Sequence, residues 1–157
     1  MNIEYNSAIA VLDELFGKDM TLAFATIDGD KPDVRFVDTY FHNDSFYIVA
    51  YSMTNKAKQI AGNKNVSLCY RLHRFEGECF NIGHPLKVEN KGIREKLVNA
   101  FAPWYFEHNN EGDERMCYLQ VKLTKGFTYL NEVGYKIDFN KNEAIESTFK
   151  MEIIPNP

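Results

Sequence analysis

The segment from Thr21 to Tyr51, TLAFATIDGDKPDVRFVDTYFHNDSFYIVAY, changes period twice and turns twice. Thr21 to Ile27 alternates as a strand does. Asp28-Gly29-Asp30-Lys31-Pro32 then supplies two strong chain breakers. Asp33 to Phe41 is a second strand, rich in β-branched and aromatic residues, and His42-Asn43-Asp44 turns it into a third, Ser45 to Tyr51. Three strands joined by tight turns form a meander, and a meander is antiparallel.

Working outward, Ser7 to Phe16 reads as an opening helix, with Ile9, Leu12 and Phe16 on one stripe and Asn6 or Ser7 as its cap. Gly17 follows where a left-handed residue commonly ends a helix. On the other side, Ser52 to Ala61 has helical composition and stops at Gly62-Asn63-Lys64-Asn65. Val66–Leu72, Arg74–Ile82 and Leu86–Val88 are further strand candidates. A second long helix is expected from about Asn90 to Phe106, with Ile93, Leu97 and Phe101 four residues apart. A polar loop, Glu107 to Arg115, follows, and its acids at Glu111, Asp113 and Glu114 read as solvated. Met116–Leu123, Gly126–Leu130 and a weaker Tyr135–Phe139 complete the strands. Strands and helices do not alternate as a doubly wound parallel sheet requires. The expectation is a mainly β single domain over residues 1–157: a small antiparallel barrel at about 20–139 with peripheral helices, then a C-terminal arm at 140–157.

Composition fits this reading and narrows the function. The 157 residues hold 12 Phe, 9 Tyr and 1 Trp, 14% of the chain, which favours half-buried pleated surface. No stretch approaches the ~18 apolar residues of a membrane-spanning helix. The acidic start, Met1-Asn2-Ile3-Glu4-Tyr5, does not read as a secretory signal, so a cytoplasmic location is expected. A net charge of −4 argues against a basic nucleic-acid-binding face. Cys69, Cys79 and Cys117 form no CxxC pair and are expected as buried, reduced thiols.

Chemistry concentrates in Tyr51-Ser52-Met53-Thr54-Asn55-Lys56-Ala57-Lys58-Gln59-Ile60, at a strand-to-helix junction. Free N–H groups at a helix start, hydroxyls and cations together favour a phosphate. Lysines in a first helical turn oppose the dipole, so two of them imply a compensating anion. The plainer reading is that Thr54 caps the helix and the lysines are solvated. Arg35 is equally two-sided. It shares a strand face with Val37 and Thr39 and could grip a phosphate beside the junction, or it could pair with Asp33 or Asp38. His42, His73, His84 and His108 are scattered, and no i, i+4 pair suggests a metal site. No G-x-S-x-G elbow is present, so serine-nucleophile chemistry has no local sign.

This ordered set resembles the FMN-binding split barrels related to pyridoxamine 5′-phosphate oxidase: Arg35-Phe36-Val37 on the second strand, Phe46-Tyr47-Ile48-Val49 on the third, then Tyr51-Ser52-x-Thr54-x-Lys56-x-x-Gln59-Ile60. The resemblance is fullest from Thr21 to Tyr70. It implies a six-stranded antiparallel split β-barrel that forms a homodimer, with FMN in each cleft between subunits. Arg35 and Lys56, with Ser52 and Thr54, would then hold the phosphate, and Asn55 belongs to the same cofactor-binding set. The backbone of Phe36 and Val37 would lie against the isoalloxazine, Tyr51 beside the ribityl chain, and Trp104 would reach the flavin of the second subunit. Two departures stand out. Tyr40 occupies the place of a lysine five residues after the arginine, and Phe149 to Pro155 lacks the substrate-contacting arginine of the true oxidases. The resemblance therefore implies a flavin site without the vitamin B6 reaction. The activity it implies is an FMN-dependent oxidoreductase drawing on a reduced nicotinamide or small organic donor, with no catalytic side chain and no metal assigned. The alternatives are a non-catalytic flavin store, carrier or sensor, and a split barrel holding another ligand such as haem.

Overall fold

The computed structural model of the chain describes residues 2–151. Eight strands form one sheet: β1 (Met20–Asp28), β2 (Lys31–His42), β3 (Ser45–Tyr51), β4 (Asn65–Tyr70), β5 (His73–Gly83), β6 (Met116–Leu130), β7 (Val133–Asp138) and β8 (Glu143–Thr148). Their order is β3-β2-β1-β4-β5-β6-β7-β8, and β3 also pairs with β6. That last pairing, from Ser45 opposite Lys122 to Tyr51 opposite Met116, closes six antiparallel strands into a barrel. β7 and β8 extend the sheet beyond β6. Closure removes most of the open edges that a six-stranded sheet would leave.

The tight turns follow from residue chemistry. Asn43 (φ 46°) and Asp44 (φ 56°) both take the left-handed conformation, as a two-residue hairpin loop of this hand requires. Asn131 and Glu132 do the same between β6 and β7. At the irregularity between Glu76 and Gly77, a Cβ on Gly77 would come within 2.5 Å of the Lys122 carbonyl oxygen, so only glycine fits there.

The barrel interior is apolar and ring-rich, with Leu22, Phe24, Phe41, Phe46, Ile48, Leu68, Phe75, Leu119 and Val121 all buried. Helix α1 (Ile3–Phe16) closes one end. Its Phe16 ring meets Phe46, Phe75 and His73 edge-on at centroid distances of 5.8, 5.5 and 5.2 Å. Burying such a ring is worth roughly 1.5–3 kcal/mol. A second cluster, Tyr47, Leu97, Phe101, Tyr105, Met116 and Tyr118, packs α3 (Lys91–Ala100) and α4 (Tyr105–His108) on the outside of β3 and β6. α2 (Asn55–Gly62) follows β3 directly.

Several expectations need correction. α1 begins at Ile3 rather than Ser7, because the Asn2 side chain accepts from the Tyr5 N–H and donates to the Ala144 carbonyl, a contact remote in sequence. Gly17 ends it at φ −75°, not left-handed, and a Cβ there would strike the Asp13 carbonyl. The long second helix breaks after Ala100, and Leu86–Val88 forms no strand. Instead, Asn90 donates to the Ile82 and His84 carbonyls and holds that segment as a turn. Met116 to Leu130 is one continuous strand rather than two. The expected arm contains β8, which pairs with β7 from Val133 opposite Thr148 to Asp138 opposite Glu143. Residues 152–157 of that arm lie outside the described residues. Cys79 and Cys117 are buried as expected, whereas Cys69 is exposed on the outward face of β4.

Candidate phosphate site at the split of the barrel

The barrel is split where β2 leaves β3. These strands pair only at Tyr40–Tyr47, Phe41–Phe46 and His42–Ser45. From Lys31 to Thr39, β2 pairs with β1 alone, so no strand takes the backbone groups on its other edge. Alternation along β2 turns Val37 and Thr39 inward, leaves Phe36 77% exposed, and places Arg35 on the inward side.

Arg35 is held by three elements. Its Nη1 donates to Thr26 Oγ1 at 2.7 Å and to the Phe24 carbonyl at 3.3 Å, both on β1. Its Nη2 donates to Asp33 Oδ2 and to Gln59 Oε1, each at 2.8 Å. The Gln59 amide also donates from Nε2 to the same Asp33 Oδ2 at 2.9 Å, and the Thr26 hydroxyl donates to Gln59 Oε1. The bond from Gln59 is the largest of the influences that hold the Asp33 carboxyl below the usual aspartate range, with Arg35 also contributing.

Lys56 stands beside this network, half-buried in the first turn of α2. Burial, and then the Arg35 guanidinium, push its ammonium below the usual lysine pKa, while the Cys117 thiol acts weakly the other way. No carboxylate pairs with Lys56 among the described residues. Counting Arg35, Lys56 and Asp33, the split carries one uncompensated positive charge within a chain of net charge −4.

The start of α2 is also open. Thr54 occupies the N-cap position, but its hydroxyl donates to the Tyr51 carbonyl at 2.8 Å and makes no cap bond. Thr54 is thus the N-cap residue, as the plainer reading has it, but without a side-chain cap bond. The first-turn N–H groups keep no side-chain acceptor. Ser52 is exposed and its N–H donates to the Arg115 carbonyl at 2.8 Å. The Tyr51 hydroxyl accepts from the Asn110 N–H at 3.0 Å, which pins the loop between α4 and β6 beside the junction. Asn55 is exposed and lines a cavity of about 470 Å³ with Asp33, Lys58 and Gln59.

Tyr51, Ser52, Thr54, Asn55 and Lys56 are neighbours in sequence at the start of α2, and Arg35 joins them through its bond to Gln59 and its influence on Lys56, whereas Phe36 and Val37 follow Arg35 along the β2 edge. Trp104 is not among them within the chain: its Nε1 donates to Asp19 at 2.7 Å and its ring stacks on Phe101 at 4.6 Å. Thr26 and Gln59 are not among the site residues expected from sequence; Asp33 is expected only as one candidate partner of Arg35, and of the two carboxylates named it is the one that pairs. The spacing of Lys56 and Gln59, three apart on one helical face, is the signal that could have found Gln59. The acidic loop also differs from expectation. Glu111 is not solvated but takes a bidentate pair from Arg94, both bonds 2.8 Å.

The histidines make no metal centre, and no group of three or more metal-ligating side chains occurs among the described residues. His73 is buried against Tyr129, 4.1 Å between parallel rings, with Nδ1 at 2.9 Å from Thr128 Oγ1. Burial lowers its pKa to about 4, so it is neutral. No described helix is long and apolar enough to cross a membrane.

The closed six-stranded barrel, split between β2 and β3, defines the class of fold: the split barrel of pyridoxamine 5′-phosphate oxidase-like proteins. A putative pyridoxamine 5′-phosphate oxidase from Listeria innocua is similar with a TM-score of 0.58 at 12% identity, over 78% of this chain and 94% of that one. An FAD-binding protein from Mesorhizobium loti gives 0.57 at 12% identity, over 76% and 91%. A haem-binding protein from Mycobacterium smegmatis gives 0.58 at 10% identity, over 94% of this chain and 59% of that one. No family model and no curated protein matches the sequence. The fold expected from sequence is the fold observed.

Proposed function

We propose that the chain is an FMN-binding flavoprotein that works as a homodimer, most simply as an FMN-dependent oxidoreductase. The observation that carries this reading is the cation surplus at the split: Lys56 without a carboxylate, beside Arg35, at the uncapped start of α2. A flavin phosphate supplies the missing anion. Lys56, the Ser52 and Thr54 hydroxyls, Asn55 and the α2 N–H groups would hold it, and Arg35 would add its fork. The unpaired β2 edge at Phe36 and Val37 offers backbone groups to a planar heterocycle, and Tyr51 stands next to the phosphate residues for the linking chain.

The flavin, when bound, supplies hydride and electron transfer. The protein's own part is to fix the phosphate, orient the ring by backbone contacts and exclude water from one face. No side chain is assigned to proton transfer. A second copy is favoured by the outward face of the β2-β1-β4 sheet, where Val34 and Phe36 are 64% and 77% exposed. Ala23, Ala25 and Cys69 form an adjoining groove of about 530 Å³ there. In that dimer Trp104 would meet the partner's flavin. A cytoplasmic, reduced setting agrees with three free thiols. The vitamin B6 reaction is not proposed: Tyr40 stands in the place of the oxidases' lysine, among the aromatic residues packed on the second cluster.

The test is the visible spectrum of the purified protein. A yellow preparation that releases FMN on denaturation supports the reading; a colourless one that also fails to take up added FMN sinks it. Anaerobic reduction by NADH or NADPH, followed by turnover with an electron acceptor, separates an oxidoreductase from a non-catalytic flavin carrier or store.

A further inference from the structure

Two donors converge on one acceptor at the split. Arg35 Nη2 at 2.8 Å and Gln59 Nε2 at 2.9 Å both point at Asp33 Oδ2. Gln59 and Arg35 are fixed from behind: Thr26, itself fully buried, bonds both, and the Phe24 carbonyl takes a second Arg35 hydrogen. Asp33 is the loosest member, its side chain 45% exposed against 23% for Arg35. It also sits close to the turn between β1 and β2. The pair of donors is therefore built into the barrel wall, while the acceptor comes from an exposed side chain. An oxygen so placed matches what a phosphate oxygen requires: two preset donors, one of them cationic.

We propose that Asp33 Oδ2 occupies an oxyanion seat formed by Arg35 Nη2 and Gln59 Nε2, and that Asp33 is an internal competitor which a phosphomonoester displaces on binding. Gln59 is then a direct phosphate ligand rather than a helix-packing residue. The inference rests on the phosphate site proposed above and adds to it both a new ligand and a device that limits affinity. Bound phosphate neutralises the surplus charge of Lys56, which Asp33 leaves uncompensated. Turning Asp33 out to solvent gives up its bonds to Arg35 and Gln59 but buries no charge, because its side chain is already 45% exposed. An Arg35 without Asp33 has more to offer an incoming anion.

Inorganic phosphate is the probe that isolates the seat from flavin recognition. Its dissociation constant is measured by calorimetry or by amide chemical shifts for the wild-type chain, Asp33→Ala, Asp33→Asn and Asp33→Ala combined with Gln59→Leu. Asp33→Asn keeps the shape of the side chain and covers the case in which the alanine variant folds poorly. Removing the competitor should tighten phosphate about tenfold, the scale of one charge-assisted hydrogen bond, and adding Gln59→Leu should undo most of that gain. Equal binding by wild type and both single variants overturns the proposal, as does weaker binding without Asp33 or the absence of binding by every variant. FMN is titrated in parallel. If phosphate tightens as described while no variant takes FMN, the flavin reading falls and the oxyanion seat stands. If FMN binds the wild type but phosphate is indifferent to Asp33, the seat falls and the flavin reading stands.

Discussion

Among the described residues three arginines face carboxylates at 2.8 Å, Arg35, Arg94 and Arg115, and the surroundings of the first two differ in one respect that matters. Arg94 grips Glu111 with both forks. The Tyr105 hydroxyl adds a third bond to Glu111 at 3.0 Å and shares a short contact with the Tyr118 hydroxyl. Burial first, and hydrogen bonding after it, push the Tyr105 phenol far above its usual pKa; burial lifts that of Tyr118 to about 12. Cation and anion are equal in number there, both phenols are neutral, and no buried side-chain polar atom lacks a partner. Nothing at that site asks for a ligand. Around Arg35 the geometry is similar, but Lys56 adds a second cation without a second carboxylate, and the helix beside it begins uncapped. The lesson is that an arginine–carboxylate pair by itself indicates nothing about binding. The local charge balance separates a brace from a receptor.

The contrast can be broken at either end. The largest effect is expected from Arg35→Ala combined with Lys56→Ala, which removes both cations from the phosphate. Hydrogen bonds to charged groups contribute ~1.5–3 kcal/mol each, so FMN affinity should fall at least ~100-fold by fluorescence titration, with the fold retained by circular dichroism. Undiminished FMN binding in that variant would mean that the phosphate site is misplaced. Glu111→Ala should do the opposite. Loss of a partly buried bidentate pair should lower stability by about 1–2 kcal/mol in urea unfolding, and FMN affinity should hold. A large loss of flavin affinity there would erase the distinction between the two regions.

Acid should weaken flavin binding before it reaches the Glu111 brace. The hydrogen bonds from Arg94 are the main cause of a lowered Glu111 pKa. Its contribution to stability is therefore complete above the ordinary glutamate value of 4.5 and is lost as the pH falls through the lower native value. Glu111→Gln should flatten that part of the stability curve. FMN affinity should follow a different profile. It should climb as pH rises through about 6, where a phosphomonoester loses its second proton. It should then decline at alkaline pH, beginning below the ordinary lysine value of 10.5, because burial lowers the Lys56 pKa and its ammonium is needed. The smallest change is expected from Thr54→Ala. Its hydroxyl bonds the Tyr51 carbonyl instead of capping α2, so stability should move by less than about 0.5 kcal/mol, short of the ~1 kcal/mol typical of a lost N-cap.

Sequence alone carried the meander, because its information is local: alternation in β1 to β3, and turn residues at Gly29, Asn43 and Asp44 that accept the required conformation. The short hairpin also suggests that Arg35 pairs with the strand leading into the Lys56 junction, which is not what forms: β2 pairs with β3 only at Tyr40–His42, and Arg35 reaches α2 through Gln59 instead. Sequence alone missed what depends on distant partners. The start of α1 is set by Asn2 meeting Ala144. β8 exists because β7 offers it an edge. The convergence of Thr26, Asp33 and Gln59 on Arg35 needs the β1–β2 register and the docking of α2 together, and no window of sequence contains both. Glu111 looked like one more acid in a polar loop because its arginine lies 17 residues earlier, on α3.

The central claim is that the split of this barrel recognises the phosphate of a flavin mononucleotide. Paired titrations of the wild-type protein with FMN and with riboflavin, which has the same ring and sugar chain but no phosphate, test it most directly. FMN should bind ~100-fold more tightly or better, on the scale of two charge-assisted contacts. Equal dissociation constants for the two flavins would contradict the account.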